Sequence, residues 1–547
     1  MKTVYTSILL LLVGFGSAFA QCSEPSINRV LLVGDSWAAF QNADQTINNA
    51  LKNAGHSDKK YVTSFSIAEN GAETWDFLDQ SKQTDIQNII NANPQIDMVH
   101  LSIGGNDVLG DWHISFTQQQ TDSLEQAVAG RLIEIIDFLK STRPGIQVFW
   151  AGYAYPNFGE IIEELGQAQN IHPFYGTWDG MGQPTFLQIN NILNDFSDSV
   201  NVFVQSDPQV HFVPAQGILQ HVYGQEQPLG IAPGGTYQPF EAPLPLGYPD
   251  YPSPKETMRP YGFFTDCFHL STDAYLTMMT YQTQKFYQKY FMDDLYLLSA
   301  GGTLDGSVSS AGDVSQTIKL GDEGGNEVAA VLTFDTQSMA DTTLSGASIF
   351  LRREDVTGTN PIPASVLQVK MVSGNFGTTA DVEAADFMAD ADAEGDPCKF
   401  GSFSQDGHWL RLDLPEDMIA QINNSNQVQF MISRPGFTGG LITFSDATDP
   451  EFAPILNLNY GPEPDGINEI RAAKELPVYP IPTTGPLTID VESNSVISIE
   501  VINVLGSVVL NPAVNDNRID ISELPNGSYV LRITTKEGIS AKRIIKR

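Results

Sequence analysis

Arg29-Val-Leu-Leu-Val-Gly-Asp-Ser-Trp37 is the stretch that decides the fold. Val30–Val33 is a short apolar run rich in β-branched residues, the pattern of a parallel strand covered on both faces. Gly34 ends it, and a helical pattern over Ala38–Leu51 follows. Ser36 therefore stands where a strand gives way to a helix, at a point where free N–H groups and the positive end of the helix dipole converge. A serine so placed suits nucleophilic attack with backbone amides stabilising the oxyanion. The alternative is that Asp35 and Ser36 only cap the helix.

Outward from this stretch, strand and helix signals alternate to about residue 293. Strands are predicted at Arg29–Val33, Tyr61–Ala68, Asp97–Ile103, Gln147–Ala151 and Asn201–Val204. Helices are predicted at Ala38–Leu51, Glu73–Ile90, Asp122–Leu139, Thr185–Phe196 and Thr272–Phe291. Such alternation implies an α/β fold, a parallel sheet with helices on both faces, and a ligand crevice outside the carboxyl ends of the strands. Between about 153 and 264 the pattern thins into Pro, Gly and aromatic residues, as in Tyr248-Pro-Asp-Tyr-Pro252. An insertion of that length either walls a site or packs its aromatics on the main core.

From 297 to about 461 short alternating strands, such as Ala330–Phe334, Ala347–Arg352, Val366–Met371, Trp409–Leu414, Val428–Ile432 and Ile455–Asn459, predict an all-β sandwich. Trp409 and Phe403 are either a sugar platform or core and turn residues. A linker begins at Gly461-Pro-Glu-Pro-Asp-Gly466 and spans about 462–477; a small all-β unit occupies 478–547 and ends in the basic cluster Lys542–Arg547. At the other end, Lys2, the apolar Ile8–Val13 and Ala18-Phe-Ala20 make residues 1–20 a signal peptide, which leaves 21–293 as the first folded domain.

Composition narrows the function classes. The chain has 547 residues, room for roughly two to four domains. Its net charge of −36, from 29 Lys+Arg against 65 Asp+Glu, excludes a nucleic-acid binder, which needs clustered cations, and suits an exported protein. No apolar run beyond the signal peptide is long enough to span a bilayer, so no stable membrane insertion is expected. Cys22, Cys267 and Cys398 form neither a disulfide framework nor a metal spacing, though one bridge is possible. The acidic stretch Asp381–Asp396 lacks the ordered ligand spacing of a calcium loop, so no metal is assigned there.

Three further stretches carry polar groups suited to chemistry at strand ends. Asp266-Cys-Phe-His269 offers a His with a carboxylate three residues earlier in a turn, able to hold one ring nitrogen while the other takes a proton. Leu101-Ser-Ile-Gly-Gly-Asn-Asp107 ends an apolar strand in glycines and an amide, so Asn106 can donate into the crevice of Ser36; Gly71, after Asn70, can present an unhindered N–H. Among the other histidines, His100 is expected in the core and His56 and His408 at the surface. No G-x-S-x-G, H-E-x-x-H or phosphate-binding loop competes.

Taken together, Gly34-Asp35-Ser36, Gly71, Gly104-Gly-Asn-Asp107 and Asp266-x-x-His269, in this order, make the chain resemble the SGNH (GDSL-type) hydrolase family over about residues 27–293. Trp37 departs from the Leu of the family motif, and the insertion exceeds that of compact members. The resemblance implies a flavodoxin-like sheet and a secreted serine hydrolase of carboxylic esters. In that reading Ser36 is nucleophile, His269 general base and then acid, and Asp266 the group orienting His269. The Ser36 and Gly71 amides and the Asn106 side chain make the oxyanion hole, and Gly34, Asp35 and Gly105 support the site. No cofactor and no metal are implied. Acetyl groups on polysaccharide and acyl lipids are both open as substrates; a surface-binding protein with a vestigial hydrolase fold and an acyltransferase are the alternatives. The tail, with Val478-Tyr-Pro-Ile-Pro482, Ile519-Asp-Ile-Ser-Glu-Leu-Pro-Asn-Gly-Ser-Tyr529 and the final basic cluster, resembles a type A sorting domain. Ile481 replaces the usual Asn. That resemblance implies export by the type IX secretion machinery of Bacteroidetes, through the periplasm to the cell surface or medium.

Overall fold

The computed structural model describes residues 26–224, 247–339, 343–362, 367–422, 426–460, 478–481, 483–489, 496–503, 508–512, 518–535 and 538–547. Residues 1–20, read above as a signal peptide, Cys22 and the expected 462–477 linker lie outside the described residues. The chain divides into two compact units, residues 1–459 and 460–547.

The first unit begins with a five-stranded parallel sheet of β1 (Ile27–Gly34), β2 (Lys59–Val62), β3 (Met98–Ser102), β4 (Gln147–Trp150) and β5 (Val210–Phe212), in the order β2-β1-β3-β4-β5. That is the flavodoxin-like doubly wound order. The two-residue period of β1 accounts for the layers. Val30 and Leu32 enter one apolar cluster with Ala38, Ile47, Leu51 and Met279. Leu31 and Val33 enter another with Ile86, Ile90, Val128, Leu132, Ile135 and Phe196. Helices on both faces exclude water from a strand with no polar side chain between Val30 and Val33.

Several predicted elements are divided or displaced. The helix expected over Ala38–Leu51 is two, α1 (Ser36–Ala43) and α2 (Thr46–Asn53), separated by Gln45 at φ 55°. Glu73–Ile90 is a 3₁₀ turn (Thr74–Leu78) and α3 (Gln80–Ala92), because Asp79 leaves the helical region and caps α3 through Ser81. The segment after β3 forms α4 (Gly105–Asp111), and Asp122–Leu139 lies inside α5 (Gln118–Thr142). Strand β2 stops at Val62, four residues in all.

The 153–264 insertion carries more regular structure than its composition suggests. It contains α6 (Phe158–Glu163), α7 (Tyr175–Gly180), α8 (Phe186–Ser206) and α9 (Ile218–Tyr223) as well as β5. Residues Asn201–Val204, predicted as a strand, continue α8 instead; the fifth strand comes after it. A short β-branched run does not distinguish the end of an amphipathic helix from a strand. Tyr248–Pro252 is clamped from both sides. Asn190 Nδ2 donates to the Pro249 and Tyr251 carbonyls at 3.0 and 2.8 Å, and Gln220 Nε2 to those of Tyr248 and Tyr251 at 3.1 and 3.0 Å. Side-chain amides thus replace partners that a proline-rich backbone cannot find in a ladder. The unit's helical part closes with the hairpin β6 (Met258–Tyr261) and β7 (Phe264–Leu270) and with α10 (Thr272–Gln282), prolonged by a π-turn over Thr283–Tyr287. No helix among the described residues is long and apolar enough to cross a membrane.

Between Leu295 and Asn459 the described strands pair antiparallel, with a short helix at Glu416–Ile422. Strand Gly346–Gly358 is their spine: the first half pairs with Trp409–Asp413 and Ile455–Asn459, the second half with Gly440–Phe444, with a register shift at Arg353/Asp355. The β region is docked on the helical part. Ala54, Met292, Phe350, Trp409 and Ile455 form one cluster, so Trp409 is interface core and not a sugar platform. Phe403 is a turn residue at φ 31°. His56, expected at the surface, is 1% exposed, its ring 5.2 Å from that of Phe350; burial holds its pKa down to about 3. Arg411 Nη1 reaches Asp58 Oδ1 at 2.7 Å and its Nε reaches Asp413 Oδ1 at 2.8 Å. Cys398 is disulfide-bonded, and Cys267 is a buried free thiol.

Burial works to raise the Asp58 pKa, but the charges of Arg411 and Lys59 outweigh it and hold it down to about 2. Arg411→Met takes the guanidinium from that carboxylate but leaves it Lys59, and unfolding in urea is expected about 1.5–3 kcal/mol easier at pH 7. A carboxyl whose native pKa lies below the unfolded value contributes stability above the unfolded pKa and loses it as pH falls. The gap between wild type and Arg411→Met should therefore narrow from about pH 4 towards pH 2. An equal gap at pH 7 and pH 3 would dismiss the ion pair as its source.

The second unit has two antiparallel sheets. One is Val478–Tyr479, Pro486–Ile489 and Arg518–Asp520; the other is Val508–Leu510, Val496–Asn503, Gly527–Thr535 and Gly538–Lys546. Leu487, Ile489, Val501, Ile519, Leu531, Ile533 and Ile544 fill the space between them.

Candidate active site

The site lies at the carboxyl ends of β1 and β3. Gly34 is required there: a Cβ on it would sit 1.9 Å from the Ser102 carbonyl oxygen of β3. Because β1 and β3 approach so closely, the chain can turn sharply and start α1 at Ser36. Asp35 is the N-cap, its Oδ1 accepting the Trp37 N–H at 2.9 Å, while its Oδ2 accepts the Tyr153 hydroxyl at 2.6 Å. The cap is thus Asp35, and Ser36 is free of that task.

Ser36 Oγ lies 2.7 Å from His269 Nε2, and His269 Nδ1 lies 2.8 Å from Asp266 Oδ2. The sequence placed Asp266 in a turn before the last helix; it stands on strand β7 of a hairpin. Its Oδ1 accepts the N–H groups of Phe268 and His269 at 3.0 and 2.9 Å. One carboxylate therefore fixes the strand end and the imidazole together. Asp266 is fully buried and His269 8% exposed. Phe40 and Phe268 flank the imidazole at ring distances of 4.7 and 4.4 Å.

Asn106 sits in the first turn of α4, whose N-cap Gly104 has φ 115°. Its Nδ2 donates to the Ala72 carbonyl at 2.9 Å, which ties it to the Gly71 loop, where Gly71 has φ 78°. The Glu69 N–H donates to the Gly34 carbonyl at 3.0 Å, anchoring the same loop to β1. Gly105 abuts Tyr153; a Cβ there would lie 2.9 Å from the phenol carbon. The structure thus joins Ser36, His269 and Asp266 in one hydrogen-bonded chain, sets Asn106, Asp35 and Gly105 on the wall of the same pocket as Ser36, and ties Asn106 to the loop that carries Gly71.

Asp107 of the Gly104–Asp107 motif and two residues the sequence did not single out, Thr74 and Arg131, hold this arrangement. Asp107 accepts the Thr74 N–H at 3.0 Å and Arg131 Nη2 at 2.8 Å, and Arg131 Nε reaches Thr74 Oγ1 at 2.6 Å. This buried network joins the Gly71 loop, α4 and α5. Tyr153 was legible only as the residue following the fourth strand, at the end where crevices form. Among the described residues no group of three His, Cys, Asp or Glu side chains could hold a metal.

Residues 30–281 match the family model of the GDSL-like lipases and acylhydrolases, and residues 477–547 match the secretion system C-terminal sorting domain. Residues 30–281 are thus a GDSL-like lipase/acylhydrolase domain. The first domain is accordingly a hydrolase domain, and the tail is a sorting domain of the kind that marks a chain for secretion or the cell surface. Among solved structures, a GDSL-like lipase from Bacteroides thetaiotaomicron is similar at 12% identity and a TM-score of 0.28, over 49% of this chain and 94% of that one. A family 3 carbohydrate esterase from Clostridium thermocellum is similar at 16% identity and a TM-score of 0.25, over 47% and 94%. Beta-agarase D of Zobellia galactanivorans is 36% identical over 83 residues, 15% of this chain and 16% of its own length.

Burial pushes the Asp35 carboxyl up to about 7, against the pull of the Tyr153 and Trp37 hydrogen bonds. A buried acid whose native pKa exceeds its unfolded value holds a proton on folding between the two, so stability falls as pH rises from about 4 to 7. Asp35→Asn keeps an acceptor for the Trp37 N–H and does not titrate. Relative to wild type, this variant of the acylhydrolase should gain stability in urea between pH 5 and pH 8. A difference that is the same at both values would count against a protonated Asp35.

Proposed function

We propose that the acylhydrolase domain is a serine esterase that cleaves carboxylic esters through an acyl-enzyme. The observation that carries this is the unbroken chain from Ser36 Oγ through the His269 imidazole to Asp266, at 2.7 and 2.8 Å. Ser36 attacks the ester carbonyl while His269 Nε2 takes its proton; His269 returns that proton to the leaving alcohol. Asp266 keeps Nδ1 protonated and stabilises the imidazolium. The Ser36 amide, the Gly71 amide and Asn106 Nδ2 stabilise the tetrahedral oxyanion; one such donor is typically worth roughly 100- to 1,000-fold in rate. Water then repeats the sequence on the acyl-enzyme.

Export and the docked β region favour acetyl esters on polysaccharide over acyl lipids as substrates. The sorting tail supports passage through the periplasm and type IX secretion, with removal of the tail. A binding protein with a vestigial fold has no chemical need for a buried, paired His269. The test is turnover of p-nitrophenyl acetate by the full chain, together with labelling by a fluorophosphonate. Turnover with the label on Ser36 supports the serine esterase. A folded chain that neither turns over esters nor takes the label at Ser36 would overturn it.

A further inference from the structure

Beside Ser36 opens a narrow slot whose walls are apolar. Trp37, Leu109, Pro156, Ile189, Leu193 and Phe268 line it, with Val108 and Ala154. The polar groups at its boundary are those of the site itself: Ser36, Asn106, and Asp35 and Tyr153, which are bonded to each other. A sugar ring placed there would leave hydroxyls without partners and out of water, which disfavours the alcohol half of the ester. A hydrocarbon chain has no such requirement. The slot is also short. Its cavity volume is about 40 Å³. A cavity needs roughly 10–15 Å³ to hold one water, so this one has room for about three water-sized groups.

Ile189 and Leu193 come from α8, in the insertion that the sequence left open between a substrate wall and core packing. They are four residues apart, hence on one face of that helix. Ile189 is 3% exposed and Leu193 half-buried. The insertion does both things: Asn190, between them, clamps the Tyr248–Pro252 segment, and the neighbouring face of the helix reaches the crevice.

We propose that this slot is the acyl subsite, that it admits straight acyl chains of two to four carbons, and that Leu193 and Ile189 limit its length. The proposal rests on Ser36 being the nucleophile, and it goes beyond that reading by assigning the acyl class and the residues that select it.

The experiment uses the full chain with p-nitrophenyl acetate, butyrate and octanoate, comparing kcat/KM for wild type, Leu193→Ala and Leu193→Trp. Wild type should prefer acetate and butyrate to octanoate by about 100-fold, the scale on which a pocket rejects surplus methylenes. Leu193→Ala should raise the octanoate-to-acetate ratio about tenfold. Leu193→Trp, which adds bulk at a half-buried position, should lower butyrate relative to acetate. Ile189→Ala, with its fold checked by circular dichroism, gives a second route to a longer slot. Octanoate cleaved as well as butyrate by wild type overturns the slot while leaving the serine esterase standing. Ratios that stay unchanged in all three variants overturn the assignment of Leu193 and Ile189. Absence of any turnover, with no label on Ser36, is the separate failure of the esterase reading itself.

Discussion

Ser36→Ala in the full chain lowers kcat for p-nitrophenyl acetate by roughly 10⁴- to 10⁶-fold. The oxygen that forms the acyl-enzyme is gone, and what persists is the effect of binding and of the oxyanion donors on attack by water. The fold is expected to hold. The helix cap is supplied by Asp35, and the Ser36 hydroxyl bonds only His269 among the described residues. Equal melting temperatures for variant and wild type would establish that the loss is chemical. Activity within tenfold of wild type in a folded variant would remove Ser36 from the mechanism and point to direct attack by water.

Asp266→Asn is expected to cost about 10⁴-fold in kcat, more than the change of one atom suggests. The reason lies in how the carboxylate is used. Oδ1 accepts two backbone N–H groups at 3.0 and 2.9 Å, so in the variant the amide oxygen must stay there. The amide nitrogen then faces His269 Nδ1 and donates to it. The imidazole proton is driven to Nε2, the atom that must accept the proton of Ser36. Asp266→Ala removes the orienting group without enforcing that tautomer, so Asn should be no better than Ala. If Asp266→Asn kept a tenth or more of the wild-type rate, the carboxylate would be only a hairpin cap.

Both expectations concern residues that the sequence alone makes legible. Asp35-Ser36 and Asp266-x-x-His269 are local patterns, the cap and the three-residue offset being set by the backbone near them, whereas Gly34 answers to the Ser102 carbonyl of β3. The apolar run Val30–Val33 likewise announces a strand buried on both faces, and with it the crevice at its carboxyl end. Boundaries failed where the local signal was ambiguous. Asn201–Val204 is β-branched enough to read as a strand yet extends α8, since a helix that buries one face tolerates such residues.

Other assignments depended on partners distant in the chain. Whether His56 meets water depends on Phe350, nearly three hundred positions later. Trp409 is core because the β region docks on Ala54 and Met292. Arg131 and Thr74 are unremarkable in sequence; only the tertiary structure brings them to Asp107 and makes them the support of the Gly71 and Asn106 loops. The acyl slot exists only where α1, α4, α8 and β7 meet, so no single stretch encodes it.

By itself, then, the sequence determined the buried first strand, the crevice at its carboxyl end and the residues proposed for the chemistry there, because these are short-range patterns. The tertiary structure decided burial, the docking of the β region and the length of the acyl slot. Those depend on which surfaces meet across long separations, and packing between distant residues leaves no periodic mark on the chain.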